Sequence, residues 1–272
     1  MIESRTRFHN PLDLFVKCLW FSPGEHRDWQ QERILPTGSV DLIFKLRDDH
    51  PIRIFDPADN SPRSVSGATV SGAYSQPFGL DTSRSSPTIG VHFHPGGAAP
   101  FLGVPVRALL NQHLSLEEFW GTQALRVREQ LLQATSTAER FGILEQALLD
   151  RLTEPAPNYQ AMLHAAGLFR ASRSTSVKAV SEALGFSSQR FIRQFQNAVG
   201  LTPKLYCRIQ RFQSVLDQIV SGTQLPWVNV ALKHGYYDQS HLIQDFREFT
   251  GVTPLEYRPV APDRKNHMLM AE

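Results

Sequence analysis

The chain has 272 residues, 41% of them hydrophobic and 20% charged, with 17 glycines and 18 prolines. This composition predicts a globular protein of about two domains and excludes disordered, collagen-like and low-complexity architectures. The formal net charge of +2 hides an asymmetry, because residues 1–158 carry 15 Lys/Arg against 18 Asp/Glu and residues 159–272 carry 13 against 8; the basic second half predicts an anionic partner, nucleic acid first.

Residues 1–105 read as short strands. Val40-Asp41-Leu42-Ile43-Phe44-Lys45-Leu46, Ile52-Arg53-Ile54-Phe55 and Thr88-Ile89-Gly90-Val91-His92-Phe93 are apolar runs. Asp56-Pro57, Asp59-Asn60-Ser61-Pro62 and Pro95-Gly96-Gly97 punctuate them, the pattern of an antiparallel β-sandwich or barrel. Glu3, Arg5, Arg7 and Asp13 interrupt any apolar leader segment, so no secretory signal is expected. No stretch approaches 18 uncharged apolar residues, which excludes a membrane-spanning helix. Cys18 and Cys207 fit neither a disulfide framework nor a zinc spacing, and a reducing cytoplasm is expected.

His92 and His94 lie two apart on a predicted strand and so share a face. This invites a metal-site reading as in cupin enzymes. With no third ligand at a suitable spacing, the expectation is two polar residues near the sheet rim and no cofactor. Asp41 within its apolar run is expected to be a hydrogen-bonded buried group rather than an effector contact. Trp20, Trp29, Tyr74 and Phe93 are expected in the core rather than in a pocket. No nucleophile-elbow, phosphate-loop or paired-carboxylate motif is present, and the chain is not expected to be an enzyme.

Ser115 and Glu118 form a capping-box signature. Phe141, Leu144, Leu148 and Leu152 follow as an amphipathic helical stripe, equally suited to packing on the strands or to a dimer seam. Glu154-Pro155-Ala156-Pro157-Asn158 then stops the helix and predicts a linker over 154–158.

Beyond it the sequence repeats itself. Val180-Ser181-Glu182-Ala183-Leu184-Gly185-Phe186 and Val230-Ala231-Leu232-Lys233-His234-Gly235-Tyr236 align at an offset of 50. Ile192/Ile243, Phe195/Phe246, Gly200/Gly251, Thr202-Pro203/Thr253-Pro254 and Tyr206/Tyr257 align at 51, so the second turn carries one extra residue. Each copy reads as helix, glycine turn, helix, with Ser187 and Asp238 as N-caps and Phe191/Phe195 and Leu242/Phe246 as core pairs. Thr-Pro starts a further helix after each copy. The segment from Pro203 to about Val220 is a connecting helix of roughly 27 Å at 1.5 Å per residue. It would set the two second helices about 34 Å apart, one turn of B-DNA.

Residues Ser172 to Pro259 thereby resemble the AraC/XylS family DNA-binding domain. Gly235-Tyr236-Tyr237-Asp238-Gln239-Ser240-His241-Leu242-Ile243-Gln244-Asp245-Phe246 with Thr250-Gly251-Val252-Thr253-Pro254-Leu255-Glu256-Tyr257-Arg258 carries the likeness most closely. Pro36 to Phe44 and Gly90 to Pro105 resemble the uncharacterised β-rich domain fused to such modules in many bacterial regulators, although His92 and His94 stand where that domain usually carries basic residues.

The helix faces away from the core pairs nominate base-contacting residues: Ser188, Gln189, Ile192 and Arg193 in the first copy, and Gln239, Ser240, Ile243 and Gln244 in the second. Arg193 suits guanine and Gln189 adenine. The resemblance adds weight to Gln189, Arg193, Gln239, Ser240 and Gln244. Arg190, Lys204, Arg208 and Arg247 are nominated for phosphates.

The expected fold is α+β. Residues 1–153 form a β-barrel or sandwich-like sensor and dimerisation domain with appended helices. Residues 159–260 form an all-α domain of seven helices, with two helix-turn-helix motifs joined by a long helix. Residues 261–272 form a disordered tail. The expected function is sequence-specific regulation of transcription on double-stranded promoter DNA. RNA polymerase, a small-molecule effector on the N-terminal domain and a second copy of the chain are candidate further partners, and no membrane is involved. The alternatives are a metal-dependent cupin-like enzyme carrying a DNA-binding module and a non-specific architectural DNA binder.

Overall fold

The computed structural model describes residues 2–24, 31–47, 52–55, 61–65, 67–83, 86–156, 158–171, 175–222 and 226–269. Trp29 lies outside the described residues. The strands are β1 (Glu3–Arg5), β2 (Val16–Ser22), β3 (Gln31–Ile34), β4 (Asp41–Lys45), β5 (Ile52–Phe55), β6 (Pro62–Val65), β7 (Ala68–Ser71), β8 (Phe78–Asp81), β9 (Thr88–Phe93), β10 (His113–Ser115) and β11 (His267–Leu269). They form a six-stranded sheet A, ordered β1-β2-β9-β4-β7-β10, and a five-stranded sheet B, ordered β11-β3-β8-β5-β6. The fold is α+β as expected. The sheets face one another as an open sandwich and not as a closed barrel.

Period-2 alternation sorts sheet A into two unlike faces. Leu19, Val91, Leu42 and Val70 lie opposite one another across four strands and are at most 1% exposed. With Phe21, Ile89 and Phe44 they make the apolar face. It packs under α1 (Ala99–Leu102), α2 (Glu117–Trp120), α3 (Thr122–Gln133) and α4 (Thr137–Arg151). Ser136 caps α4 by accepting from the Glu139 N–H. At the start of α2 only half of the expected capping box forms: the Ser115 N–H donates to Glu118 Oε1, while Ser115 Oγ accepts from the Glu117 N–H. Phe141, Leu144 and Leu148 are buried in this layer, so the stripe packs against the sheet.

Pro155 falls in irregular chain between α4 and α5 (Tyr159–Ala171), and Pro157 lies outside the described residues. The remaining helices are α6 (Val177–Ala183), α7 (Ser188–Val199), α8 (Pro203–Val220), α9 (Trp227–Lys233) and α10 (Gln239–Thr250). Thr202 caps α8 with Pro203 in its first turn, as the sequence predicts. The matching Thr253-Pro254 opens only a turn, in which the Thr253 carbonyl accepts from Glu256 and Tyr257. Six helices are therefore found after residue 158 among the described residues, where seven were expected.

The eighteen residues of α8 serve both copies of the repeat. Phe169, Phe191, Phe195 and Tyr206 cluster at its start, and Phe212, Phe246, Phe249 and Tyr257 cluster further along. The helical half also rests on the β-rich half. The end of α7 packs on the 3₁₀ turn Val106–Leu109, Gln210 and Gln213 of α8 donate to the Thr37 and Pro36 carbonyls, and Arg33 of β3 donates to the Thr250 carbonyl.

The tail corrects the expectation of disorder. Residues 259–269 run back to sheet B, where β11 pairs antiparallel with β3. Glu32 of β3, fully buried, accepts from Arg264 Nη2 at 2.9 Å and pairs with His267 Nδ1 at 2.8 Å. Lys265 meets Asp217 of α8, and Gln213 donates to Asn266. The expected disorder does not hold over residues 261–269, because a buried carboxylate 232 residues before Arg264 supplies the order, and residues 270–272 lie outside the described residues.

Removing one partner of a buried ion pair strands the other charge. Arg264→Ala should therefore lower unfolding free energy by about 3–5 kcal/mol in urea titrations. The double variant Glu32→Gln, Arg264→Gln should recover part of this loss, since no charge then stays buried.

Candidate functional site

The two repeats build one local structure twice. Gly185 and Gly235 take φ of 71° and 77°, the left-handed region that ends a helix. The Phe186 and Tyr236 N–H groups each reach back 2.9 Å, to the Ser181 and Ala231 carbonyls. The glycines thus fix the same sharp turn between α6 and α7 and between α9 and α10. Asp238 caps α10 by accepting from the His241 N–H at 2.8 Å, whereas Ser187 makes no side-chain cap.

Phe191 and Phe195, and Leu242 and Phe246, are at most 1% exposed and lock α7 and α10 onto α8. The opposite faces are turned outward. Ser188, Gln189, Arg190, Ile192 and Arg193 are exposed at the start of α7, as are Ser240, Gln244 and Arg247 on α10 and Lys204 at the start of α8. Gln239 is half-buried. Ile243 is half-buried and packs against the core, unlike Ile192, which is 38% exposed.

Arg208 is placed elsewhere than expected. Its Nε and Nη2 donate to Asp245 Oδ1 at 3.1 and 2.8 Å, and Nη2 also meets Glu248. Hydrogen bonds to these two carboxylates hold the guanidinium pKa well above its usual value. Asp245 is 3% exposed. The group fastens α10 to α8 and faces inward, because the i, i+3 carboxylates of α10 sit directly over it.

The second candidate site lies between the sheets. Sheet A turns a polar row inward: Cys18, His92, Asp41, Ser71 and His113 stand opposite one another across β2, β9, β4, β7 and β10. All five line a cavity of about 880 Å³. His92 Nδ1 and Asp41 Oδ1 are 2.7 Å apart, Ser71 Oγ and His113 Nε2 are 3.2 Å apart, and Tyr74 hydroxyl bonds the other His113 nitrogen. Burial lowers the His113 pKa to about 4, so the ring is neutral. One step along the sheet, the Trp20 indole lies against Gly90, where any Cβ would come within 2.6 Å of its ring. Sheet B presents an apolar wall that includes Ile34, Ile54, Phe78 and Leu80. The tail residues Asp263 to His267 and the loop Leu35–Thr37 complete the lining.

Asp41 is hydrogen-bonded, as expected, and also faces the cavity. Trp20 and Tyr74 line it too, while Phe93 is buried on the other face, stacked on Phe101. His94 falls just beyond β9 and does not share the lining with His92. Among the described residues no group of three His, Cys, Asp or Glu side chains comes together to hold a metal ion, and no helix is long and apolar enough to cross a membrane.

Residues 6–115 match a family described as a domain of unknown function, DUF6597, and residues 180–259 match a helix-turn-helix domain. No curated protein matches the chain. Among solved structures, ToxT from Vibrio cholerae aligns over 94% of this chain and 97% of its own, with 9% identity and a TM-score of 0.48. ToxT bound to an unsaturated fatty acid aligns over 88% and 92%, with 10% identity and a TM-score of 0.45. The C-terminal domain of AraT, a response regulator from Geobacillus stearothermophilus, aligns over 42% and 87%, with 18% identity and a TM-score of 0.33.

Two measurements check the site. Arg208→Ala should cost about 3 kcal/mol of stability by leaving buried Asp245 with only the more distant Arg211 at 4.0 Å, and should leave the salt dependence of DNA binding unchanged, whereas Lys204→Ala should reduce the salt slope by about 1. Separately, a histidine buried neutral takes up its proton in the unfolded chain first. The folded value of about 4 lies below the unfolded 6.5, so His113 removes stability as pH falls from 6.5 toward 4. The loss should be about 2 kcal/mol between pH 7 and pH 5 in urea melts, and His113→Gln should flatten that part of the profile.

Proposed function

We propose that this chain, a helix-turn-helix transcription regulator of the AraC/XylS type, reads promoter DNA by placing α7 and α10 in successive major grooves of one duplex. The observation that carries the reading is the doubled arrangement itself. Two equivalent helices are locked by their apolar faces onto one connecting helix and present their opposite faces outward. The first turns of such helices meet base edges. Ser188, Gln189, Ile192 and Arg193 read the first groove, and Gln239, Ser240 and Gln244 the second. Arg190, Lys204 and Arg247 hold phosphates, which set position without specifying sequence. Ile243 serves chiefly to pack α10, and Arg208 orients α10 without touching DNA.

The inter-sheet cavity is the effector site in this reading. Its support is that two parts of the lining also hold α8. The loop at Pro36 and Thr37 accepts hydrogen bonds from Gln213 and Gln210, and the tail brings Lys265 to Asp217. A molecule between the sheets that favours one position of loop and tail shifts the angle at which α8 presents its two neighbours. It acts only to the extent that it binds the two positions differently. RNA polymerase and a second copy of the chain remain partners in this reading, the copy on Leu125, Leu132 and Leu149, which stay exposed on α3 and α4.

The test is fluorescence anisotropy on the DNA upstream of the coding region, against a random duplex of equal length at near-physiological salt. The upstream DNA should bind at least ~10³-fold tighter. Arg193→Ala should weaken that complex by about 1–3 kcal/mol and relax the preference at one base pair. Equal binding to both duplexes would favour an architectural binder instead.

A further inference from the structure

We infer that the inter-sheet cavity takes an uncharged aromatic ring bearing hydroxyl donors, a phenol of the catechol class, with its hydroxyls on the row Cys18–His92–Asp41–Ser71–His113. The inference rests on reading the cavity as the effector site and adds the chemistry of the ligand.

Three features of the cavity lead there. The first is which face of sheet A is polar. A two-sheet sandwich normally fills the space between its sheets with apolar side chains from both inner faces. Here sheet A gives its apolar face to the helices, and its inner face carries five polar residues in register. Buried polar groups left without a function are costly, and a row of them across five strands marks a binding edge.

The second is the character of that row. Its centre is the carboxylate of Asp41, whose side chain is 26% exposed. Among the described residues its hydrogen-bond partner is His92 alone. A carboxylate only accepts, so a ligand on it must bring donors, and an acid placed there would meet like charge. Next along the row, Ser71 and His113 share one hydrogen bond and hold no net charge. Cations line the cavity away from this row: Arg264 and Lys265 are paired with Glu32 and Asp217, and Lys17, Lys45 and Arg53 are the charges that benzoate probes in the titration. A hydroxyl satisfies both neighbours, because it donates to the carboxylate and accepts from the Ser71 hydroxyl, while both ring nitrogens of His113 are taken by Ser71 and Tyr74.

The third is the shape of the space. Gly90 lets the Trp20 indole lie close on the sheet, one step from the polar row. Ile34, Ile54, Phe78 and Leu80 face it from sheet B. A flat, apolar body fits between the indole and these apolar side chains, whereas a polyol would leave hydroxyls unpaired against them. The volume, about 880 Å³, exceeds a single ring and leaves space for a substituent on it.

Isothermal titration of the full chain with catechol, benzoate and glucose at pH 7.5 tests the inference. Catechol should bind at least ~10-fold tighter than either. Asp41→Asn should weaken catechol by about 10-fold or more, the order expected for losing a hydrogen bond to a charge. Ser71→Ala should weaken it less, and Lys178→Ala, on the exposed face of α6, should leave it unchanged. Circular dichroism and the melting temperature of each variant separate a lost contact from a lost fold; if Asp41→Asn unfolds, Ser71→Ala carries the test. Tighter binding of benzoate or glucose, no binding of catechol, or catechol affinity indifferent to these substitutions overturns the inference. Because the titration contains no DNA, specific catechol binding with no change in promoter affinity overturns the effector reading while leaving the ligand class standing. No catechol binding by the unaltered chain, with promoter binding intact, overturns the ligand class and leaves the effector reading standing.

Discussion

Sheet A has one strongly apolar face, and the constraint that organises the molecule is which layer receives it. Leu19, Val91, Leu42 and Val70 bury that face against α1 to α4. At about 25 cal/mol per Å² of apolar surface, this layer dominates the stability of the N-terminal half. Sheet B is thereby released from providing a core partner. It stands off as the second wall of a cavity, and its β3 edge is covered by the chain's own tail. Cavity, roof and contact with α8 all follow from the same assignment of faces.

The helical half solves a different problem with repeated parts. Two short motifs of two helices each bury little surface alone. Sharing α8 gives both an apolar floor, with one aromatic cluster around Phe195 and another around Phe246. The copies are unequal in how they are secured. The first is wedged by the end of α7 against the Val106–Leu109 turn of the β-rich half, and the second by Arg208 between Asp245 and Glu248. A signal arriving from the N-terminal half therefore meets the first motif through the packed Val106–Leu109 turn, and the second through the Arg33 hydrogen bond to the end of α10, α8 and the tail.

Much of this was legible in the sequence. The repeat, the glycine turns, the core pairs and the Thr202-Pro203 start are local signals, and the structure places them as read. So is the alternation that makes strands of Val40 to Leu46 and Thr88 to Phe93. The row on sheet A was half visible. Asp41 and His92 stood out as polar residues within apolar runs, but each was weighed alone. Only the register, which joins residues up to 95 positions apart, puts them in line with Cys18, Ser71 and His113. The tail was misread for a related reason. Nothing within residues 259–272 announces a strand, and its order depends on Glu32, which reads as an ordinary charged residue in a short run. Arg208 likewise looked like one more basic side chain until α10 set Asp245 and Glu248 over it.

The late arrival of β11 has a consequence for synthesis. At about 5–20 residues per second, roughly ten to fifty seconds separate the emergence of β3 from that of its partner strand. Through that interval β3 is an open edge with a carboxylate that lacks its cation, a state exposed to pairing with other nascent chains. Glu32 is then useful in its unsatisfied form. An uncompensated charge on an open edge discourages foreign strands from pairing there, and only a segment that carries its own arginine and histidine in register completes the sheet.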